Sequence, residues 1–261
     1  MSYNVQVGTG GYTGWKILER TMERQRDVFS QNYAVRSYKD YFSNKFPEVA
    51  TAEQLVADYK LLTVALRAFG LESDINNRFF IRKILESDPD DRTSLVNRLA
   101  DKRYLKLNQA LAFHDTPDER EKKLEPLSII EKFETRSFEK NIGERYTEIE
   151  LALNAQREIA EIADLNISEN AKWYQILASK PLRRIFEGAF GLGSSFASLP
   201  IDRQLSDMKH RTERLTGSDS VSQFSSSAAL DSVLKRFLLL GQLNISSMST
   251  RYTTALAILK S

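Results

Sequence analysis

Apolar residues recur at every third or fourth position along almost the whole of this 261-residue chain. That spacing places them on one face of an α-helix, whereas a half-buried strand needs strict alternation of apolar and polar residues. Only residues 3–7 alternate, and that run is short. Glycine and proline number 11 and 6, which is few for this length, so turns are few and elements are long. The sequence therefore predicts an all-α, multi-helix bundle-like fold.

Helix boundaries are marked most clearly between residues 51 and 70. Thr51 and Gln54 have the spacing of a capping box, in which each side chain bonds the other residue's backbone amide. An apolar stripe with helical spacing follows, and Gly70 then supplies the left-handed residue that commonly ends a helix. A helix with a stripe ending at Phe69 is predicted there. Similar signals predict a helix that starts after Ser168 and another that ends at Gly191.

The middle of the chain predicts one long central helix from Ser128 to Asp164, kinked at Gly143. At 1.5 Å per residue it would span roughly 50 Å if unbroken. Residues 114–127 contain two prolines and a run of charges, which predicts a loop. Thr216–Ser227 is rich in serine and glycine, which predicts a mobile loop.

The domain organisation predicted from these patterns is a flexible N-terminal tail over residues 1–14 and a single helical domain over 15–261, with possible halves at 15–127 and 128–261. The tail carries four glycines and no acidic residue. The tetrapeptide at 68–71, Ala-Phe-Gly-Leu, recurs at 189–192. Either the chain is internally duplicated, with two related helical halves, or the repeat is a coincidence in a helix-rich sequence.

Charge and composition disfavour several classes of partner. Lys and Arg number 37 and Asp and Glu 35, for a formal charge of +2, so no overall attraction to nucleic acid or an anionic membrane is expected. The sequence contains no run of about 18 apolar residues, so no membrane span is predicted. Cysteine is absent, which removes disulfides, thiolate metal ligands and cysteine nucleophiles.

No motif predicts a catalytic, cofactor-binding or metal-binding site. The glycines at 8–14 miss the spacing of dinucleotide and phosphate loops. His114 and His210 are far apart and lack a two-histidine zinc motif. The acidic residues at 88–91 lack the remainder of a calcium loop. No Gly-x-Ser-x-Gly elbow exists, although a triad with distant partners stays open.

The residues that carry a family resemblance lie mostly between Leu61 and Tyr104. They are Val64–Leu71, Asn77–Glu86 and Asn97–Tyr104, to which the motif Gly-Gly-Tyr-x-Gly-Trp at 10–15 and Arg20-Thr21 are added. Together they resemble an uncharacterised α-proteobacterial family, domain of unknown function 1217, specifically over about residues 8–113 and more loosely beyond. The resemblance implies a flagellar association and no known catalytic residues.

These observations lead to three hypotheses. The first is a non-enzymatic structural or interaction protein that acts through helix–helix contacts and is either associated with the flagellum or exported by the flagellar pathway. Its terminal helices, 15–29 and 245–259, would pair with each other. The second is a cytoplasmic adaptor or chaperone for an exported flagellar subunit, and the third is an enzyme with an unfamiliar helical site. The candidate interaction residues are Trp15, Tyr38, Tyr41, Phe42, Arg98, Lys102, Arg103 and Tyr104.

Overall fold

The computed structural model describes the backbone of residues 3–259 and the side chains of residues 3–243 apart from Ser194. Within that part of the chain there are α-helices, short 3-10 helices and no strands, which confirms the predicted all-α class. None of these helices is both long enough and apolar enough to cross a membrane.

The chain divides into two compact units. The first unit comprises residues 21–141 with residues 3–5, and the second comprises residues 6–20 with residues 142–259. The predicted halves divide the chain at 127/128 instead. Helical periodicity shows which face of a segment is buried, but it does not show which neighbouring segment covers that face.

The first unit contains most of the short helices. They are α1 (Gly11–Ser30, from Thr21 onward), α2 (Tyr33–Lys45), α3 (Ala52–Ala57), α4 (Tyr59–Ala68), α5 (Arg78–Leu85), α6 (Leu95–Arg98), α7 (Arg103–Leu111), α8 (Pro117–Lys123) and α9 (Pro126–Gly143, up to Asn141). Seven of the ten residues of α4 are buried, and α2 and α3 pack against it. The apolar character of α4 thus makes it the centre of this unit's core. A helix, α8, also occupies part of the predicted loop at 114–127.

The predicted capping box is confirmed, but the helix that follows it is interrupted. Gln54 N lies 3.2 Å from Thr51 Oγ1, and Thr51 N lies 3.2 Å from Gln54 Oε1. Asp58 is extended, and its Oδ1 accepts hydrogen bonds from Lys60 N at 2.8 Å and Leu61 N at 3.0 Å. Asp58 therefore ends α3 and caps α4, because its carboxylate satisfies amides that an unbroken helix would pair internally.

Gly70 ends α4 as the sequence predicts, and Gly191 ends another helix in the same way. Gly70 has φ +69° and Gly191 has φ +64°. Leu71 N donates to Leu66 O at 2.8 Å, and Leu192 N donates to Glu187 O at 2.8 Å. Both are the closing bond of a Schellman motif. The repeated tetrapeptide thus has one local structure in both places, while a duplication of the whole chain stays a prediction.

The second unit contains the longer helices. They are the first ten residues of α1, and α10 (Thr147–Ala163), α11 (Glu169–Ala178), α12 (Lys180–Phe190), α13 (Ile201–Thr216) and α14 (Ser227–Leu259). In place of one long central helix from 128 to 164, the chain forms α9 and α10, separated after Gly143. A Cβ at position 143 would lie 1.7 Å from Glu150 Oε2. Because glycine has no Cβ, the side chain of Glu150 can approach position 143 closely, at the end of α9.

The core of the second unit includes a segment predicted as a mobile loop. The rings of Trp173, Phe186 and Phe224 lie 5.3 to 6.5 Å apart. Phe224 belongs to a 3-10 helix, Val221–Ser225, and both Val221 and Phe224 are buried. Two apolar residues three positions apart therefore hold the serine-rich segment 216–227 against the core.

Residues 3–14, predicted as part of a flexible tail, are instead packed against the rest of the protein. Val5 and Val7 are 7% and 1% exposed, and α1 already begins at Gly11. In the first unit Val5 N donates to Asn141 Oδ1 at 3.0 Å. In the second, Tyr146 Oη donates to Gly8 O at 2.6 Å. Buried valines and a tyrosine hydroxyl thus hold a segment whose glycines had suggested freedom.

Candidate interaction surfaces

Of the five aromatic residues predicted for interaction, Trp15 and Phe42 are buried, and Tyr38, Tyr41 and Tyr104 are half-buried. Phe42 is fully buried and stacks on Phe46 with ring centroids 4.4 Å apart. Trp15 is 3% exposed, and the half-buried Tyr38 ring lies 6.0 Å from Phe133. The aromatic face predicted for residues 33–46 lies on a helix, α2, and its residue Phe42 packs in the core. The exposed aromatic residue of α2 is Tyr33, at 86%.

Tyr41 binds within the first unit. Its Oη donates to Asp58 Oδ2 at 2.6 Å, and the hydrogen bond to this carboxylate raises the pKa of Tyr41. The Nζ of Lys60 lies 5.0 Å from the ring centroid. Tyr41 thus links α2 to the residue that caps α4.

The motif at 97–104 forms an internal network. Arg103 makes two of its hydrogen bonds: Nη1 donates to Gly70 O at 2.5 Å, and Nη2 donates to Asp101 Oδ2 at 2.6 Å. Tyr104 Oη donates to Asp74 Oδ2 at 2.7 Å. Asn97 Nδ2 donates to Pro89 O, also at 2.7 Å. Desolvation of Asp101 works against its ionisation, but the hydrogen bonds from Arg103 outweigh it and lower the pKa of Asp101.

The two remaining cations of this motif are exposed. Lys102 Nζ donates to the carbonyl oxygens of Asn97 at 3.2 Å and Leu99 at 3.0 Å. Arg98 lies at the end of α6 with an exposed side chain. Of the four predicted residues in the motif, Arg98 is therefore the one whose guanidinium is presented to solvent without a described contact.

The aspartates at 88–91, which lack a calcium-loop motif, form turns, and His114 lies just after the end of α7. Asp88 Oδ1 accepts from Asp90 N, and Asp91 Oδ1 accepts from Thr93 N, both at 2.8 Å. His114 Nε2 lies 3.2 Å from Asp115 Oδ1. Among the residues with described side chains, no group of three His, Asp or Glu residues is placed to hold a metal ion.

Glu169 accepts several hydrogen bonds from the serine-rich segment, an arrangement that no sequence motif predicts. Its Oε2 accepts hydrogen bonds from Val221 N at 2.6 Å and Ser220 Oγ at 2.7 Å, and its Oε1 accepts from Ser222 Oγ at 2.5 Å. Partial burial alone would raise the pKa of Glu169, but the hydrogen bonds outweigh it and hold the pKa at about 2. The sequence signal was a glutamate at the first position of a helix capped by Ser168.

A lysine beside this carboxylate is buried. Lys172 is 4% exposed, and its Nζ donates to Ala163 O at 2.7 Å and to Ser222 Oγ at 2.5 Å. The Glu169 carboxylate lies 3.3 Å away. The ammonium group is thus paired and hydrogen-bonded, as a buried charge requires. The cluster fastens the serine-rich segment to α11.

An open polar groove of about 370 Å³ lies along one face of α13. His210 stands in it with an exposed side chain. Lys209 Nζ lies 2.9 Å from Asp219 Oδ2, and Tyr174 Oη donates to Asp202 Oδ1 at 3.2 Å. The described groups therefore already neutralise part of the groove's charge.

The clearest exposed apolar feature of the second unit lies on α14, a helix of 33 residues. Its first part is buried through a stripe at helical spacing, formed by Leu230, Val233, Leu234, Phe237 and Leu238. Leu239 and Leu243, one turn apart on another face, are 39% and 64% exposed. We call these two residues the α14 apolar face.

The start of α1 lies along α14 in the opposite direction. The charge of Asp231 acts on Lys16, the Nζ of Lys235 lies 5.6 Å from the Tyr12 ring, and Gln242 lies against Gly11. Because α1 begins at Gly11, residues after Gln242 have passed its start. In the described part, residues 11–16 contact residues 231–242, and the predicted pairing of 15–29 with 245–259 stays a prediction. The side chains of 245–259 lie outside the described residues.

Comparison with known proteins finds a matching family model and a solved structure with a similar fold. The model of the family "Protein of unknown function (DUF1217)" matches residues 68–230. The crystal structure of a protein from Agrobacterium tumefaciens has a TM-score of 0.74 and 20% identity, covering 93% of this chain and 99% of that chain. No curated protein matches significantly. The family match extends well past residue 113, where the resemblance in the sequence was looser, and it leaves out the glycine motif at 10–15.

Proposed function

Because this chain belongs to the DUF1217 family, whose description names no activity, we propose its function from its own surfaces. It is a structural, protein-binding component associated with the bacterial flagellum, and it acts through helix–helix contacts. The proposal assigns it no catalysis.

The observation that carries the proposal is the α14 apolar face. From Phe237 to Leu243 the helix reads Phe-Leu-Leu-Leu-Gly-Gln-Leu, with apolar residues on every side. A helix of that composition is normally covered all round, yet Leu239 and Leu243 are 39% and 64% exposed. Fully burying an exposed leucine contributes about 1.5–3 kcal/mol, and covering the exposed part of each of these two contributes a fraction of that. A partner helix seated on this face would therefore gain affinity from it.

The flagellar part of the proposal is supported by the family resemblance of the sequence. The residues before Glu19 contain no acidic side chain, which suits a substrate of the flagellar export apparatus. The adaptor hypothesis shares the helix–helix contact and differs in location, since an adaptor stays in the cytoplasm with its client.

The test is fractionation of tagged protein expressed from its own chromosomal locus, into cytosol, envelope, sheared flagella and medium. A strain that lacks flagellar export is the control. We expect recovery with sheared flagella, lost in the export strain. Retention in the cytosol of both strains would contradict export and favour the adaptor.

Variants test whether the α14 apolar face is required for recovery of the protein with flagella. Leu239→Asn with Leu243→Asn removes the α14 apolar face, and Ile201→Asn changes another exposed apolar residue of the same unit, 48% exposed. We expect the double variant to fold and to lose the flagellar fraction, whereas Ile201→Asn retains it. If both behave as the unchanged protein, contact through α14 is not the function.

A further inference from the structure

We infer that the occupant of the α14 apolar face is an acidic amphipathic helix of a different protein, and that Lys235 selects it by charge. This inference names the partner class for the proposed function and rests on it.

Lys235 lies on the same side of α14 as the two exposed leucines. Positions 235, 239 and 243 are each one turn apart, so their side chains stand in one row along the helix. Lys235 is exposed, and its Nζ lies 5.6 Å from the centroid of the Tyr12 ring. Among the residues with described side chains, no carboxylate forms an ion pair with it. The row therefore presents one cation followed by two leucines.

The surroundings of Lys235 leave its charge to a partner. Asp231, one turn before it, makes the smallest of the contributions that raise the pKa of Lys16, and it forms no ion pair with Lys235 among the residues with described side chains. Lys16 itself pairs with Glu19, Nζ to Oε2 at 2.6 Å, and lies 5.6 Å from the same Tyr12 ring. Tyr12 is thus flanked by two ammonium groups, of which Lys16 has a carboxylate partner and Lys235 has none described. A carboxylate arriving with a partner helix would meet Lys235 at the edge of the apolar contact.

The charge of the remaining sequence argues against a second copy as the occupant. From Ser232 to Ser261 the chain has four basic residues, Lys235, Arg236, Arg251 and Lys260, and no acidic residue. Two copies of this segment would bring like charges to one contact, which is unfavourable. A helix with apolar residues on one face and glutamates beside them matches both the leucines and the cation.

The probes are two monomeric synthetic helices of equal length with the same leucine seam, flanked in one by glutamates and in the other by lysines. Their affinities for the full chain are measured by fluorescence anisotropy at low and high salt. We expect the glutamate peptide to bind at least about tenfold more tightly at low salt, and the ratio to shrink at high salt because ions screen exposed charges. Lys235→Glu should bring the ratio to unity or below. Lys180→Glu, an exposed lysine at the start of α12 with the same change in net charge, should leave it unchanged.

Two results would overturn the inference. One is equal or tighter binding of the lysine peptide. The other is a dimer of the unliganded chain in sedimentation that Leu243→Asn dissociates, since a second copy would then occupy the face. If Leu239→Asn/Leu243→Asn abolishes the flagellar fraction while the peptides show no charge preference, the partner class fails and the proposed function stands. If the peptides discriminate as expected while that variant keeps its flagellar fraction, the proposed function fails instead.

Discussion

The side-chain amide of Gln242 lies against the Cα of Gly11, so closely that a Cβ at position 11 would stand 2.0 Å from Gln242 Nε2. Gly11 also has φ +57°, in the left-handed region. Glycine therefore meets two demands at the start of α1, one of conformation and one of space. Gly191 has φ +64°, and apart from its chain neighbours no described atom lies within 4 Å of its would-be Cβ, which makes it a matched control for the conformational demand alone.

Gly11→Ala should destabilise the protein more than Gly191→Ala. Left-handed strain costs about 1–2 kcal/mol in either variant, and crowding against α14 adds about 1–3 kcal/mol at position 11. Urea denaturation measures both. Adding Gln242→Ala to Gly11→Ala should remove the excess, because the crowding atoms are then absent. Equal stability of the two single variants would show that Gln242 simply moves aside.

Glu169→Gln should lower stability at neutral pH and remove part of the acid sensitivity. The pKa of Glu169 is about 2 in the folded protein against an ordinary 4.5, so its ionised form stabilises the fold above about pH 4.5. That contribution is lost as the pH falls towards 2. Because the side chain is 36% exposed, solvent screening limits the effect to about 1–2 kcal/mol.

The measurement is tryptophan fluorescence, from the buried Trp15 and Trp173, during denaturation between pH 7 and pH 2. Trp173 Nε1 donates to Asp219 O at 2.8 Å, beside the segment that Glu169 holds. The difference between the unchanged protein and Glu169→Gln should shrink below pH 4.5. Glu121→Gln, at an exposed glutamate of α8, should show no such difference at any pH. A difference that stays constant with pH would contradict the assigned role of the carboxylate.

Phe42→Ala should unfold the protein far more readily than Tyr33→Ala. Both residues lie on α2, but Phe42 is fully buried against Phe46 and Tyr33 is 86% exposed. Truncating a buried phenylalanine costs about 3–5 kcal/mol, whereas the exposed tyrosine should change stability by less than about 0.5 kcal/mol. Thermal denaturation followed by circular dichroism gives the midpoints of the two variants. Similar midpoints would place Phe42 at a surface after all.

Arg103→Gln should destabilise the protein, and Arg98→Gln should not. Removing the Arg103 guanidinium leaves Gly70 O without its donor and Asp101 without its counter-charge. Hydrogen bonds of a charged group contribute about 1.5–3 kcal/mol each when buried. Since Arg103 is about a third exposed, about 1–2 kcal/mol is expected. Denaturation midpoints of the two variants measure the contrast. If Arg103→Gln leaves the midpoint unchanged, the hydrogen bonds of Arg103 do not stabilise the fold.

Helix content and several helix ends could be predicted because they depend on local chemistry. Thr51 and Gln54 cap a helix through groups three residues apart, and Gly70 ends one through its own φ angle. Such signals are complete within a few positions of the chain. The apolar stripes also identified true buried faces, since helical periodicity is a property of the segment itself.

The tertiary structure alone decided what each face meets. Phe42 and Tyr33 belong to the same aromatic stretch, yet Phe42 lies in the core and Tyr33 in solvent. The packing of α2 against α4 determines which of these rings is buried. Glu169 and Val221 are 52 positions apart, and the pKa of the carboxylate depends on amides that the linear sequence does not place near it. The same holds for Leu239 and Leu243, which are as apolar as their buried neighbours. Their exposure depends on which segments pack against α14, and the composition of α14 does not reveal it.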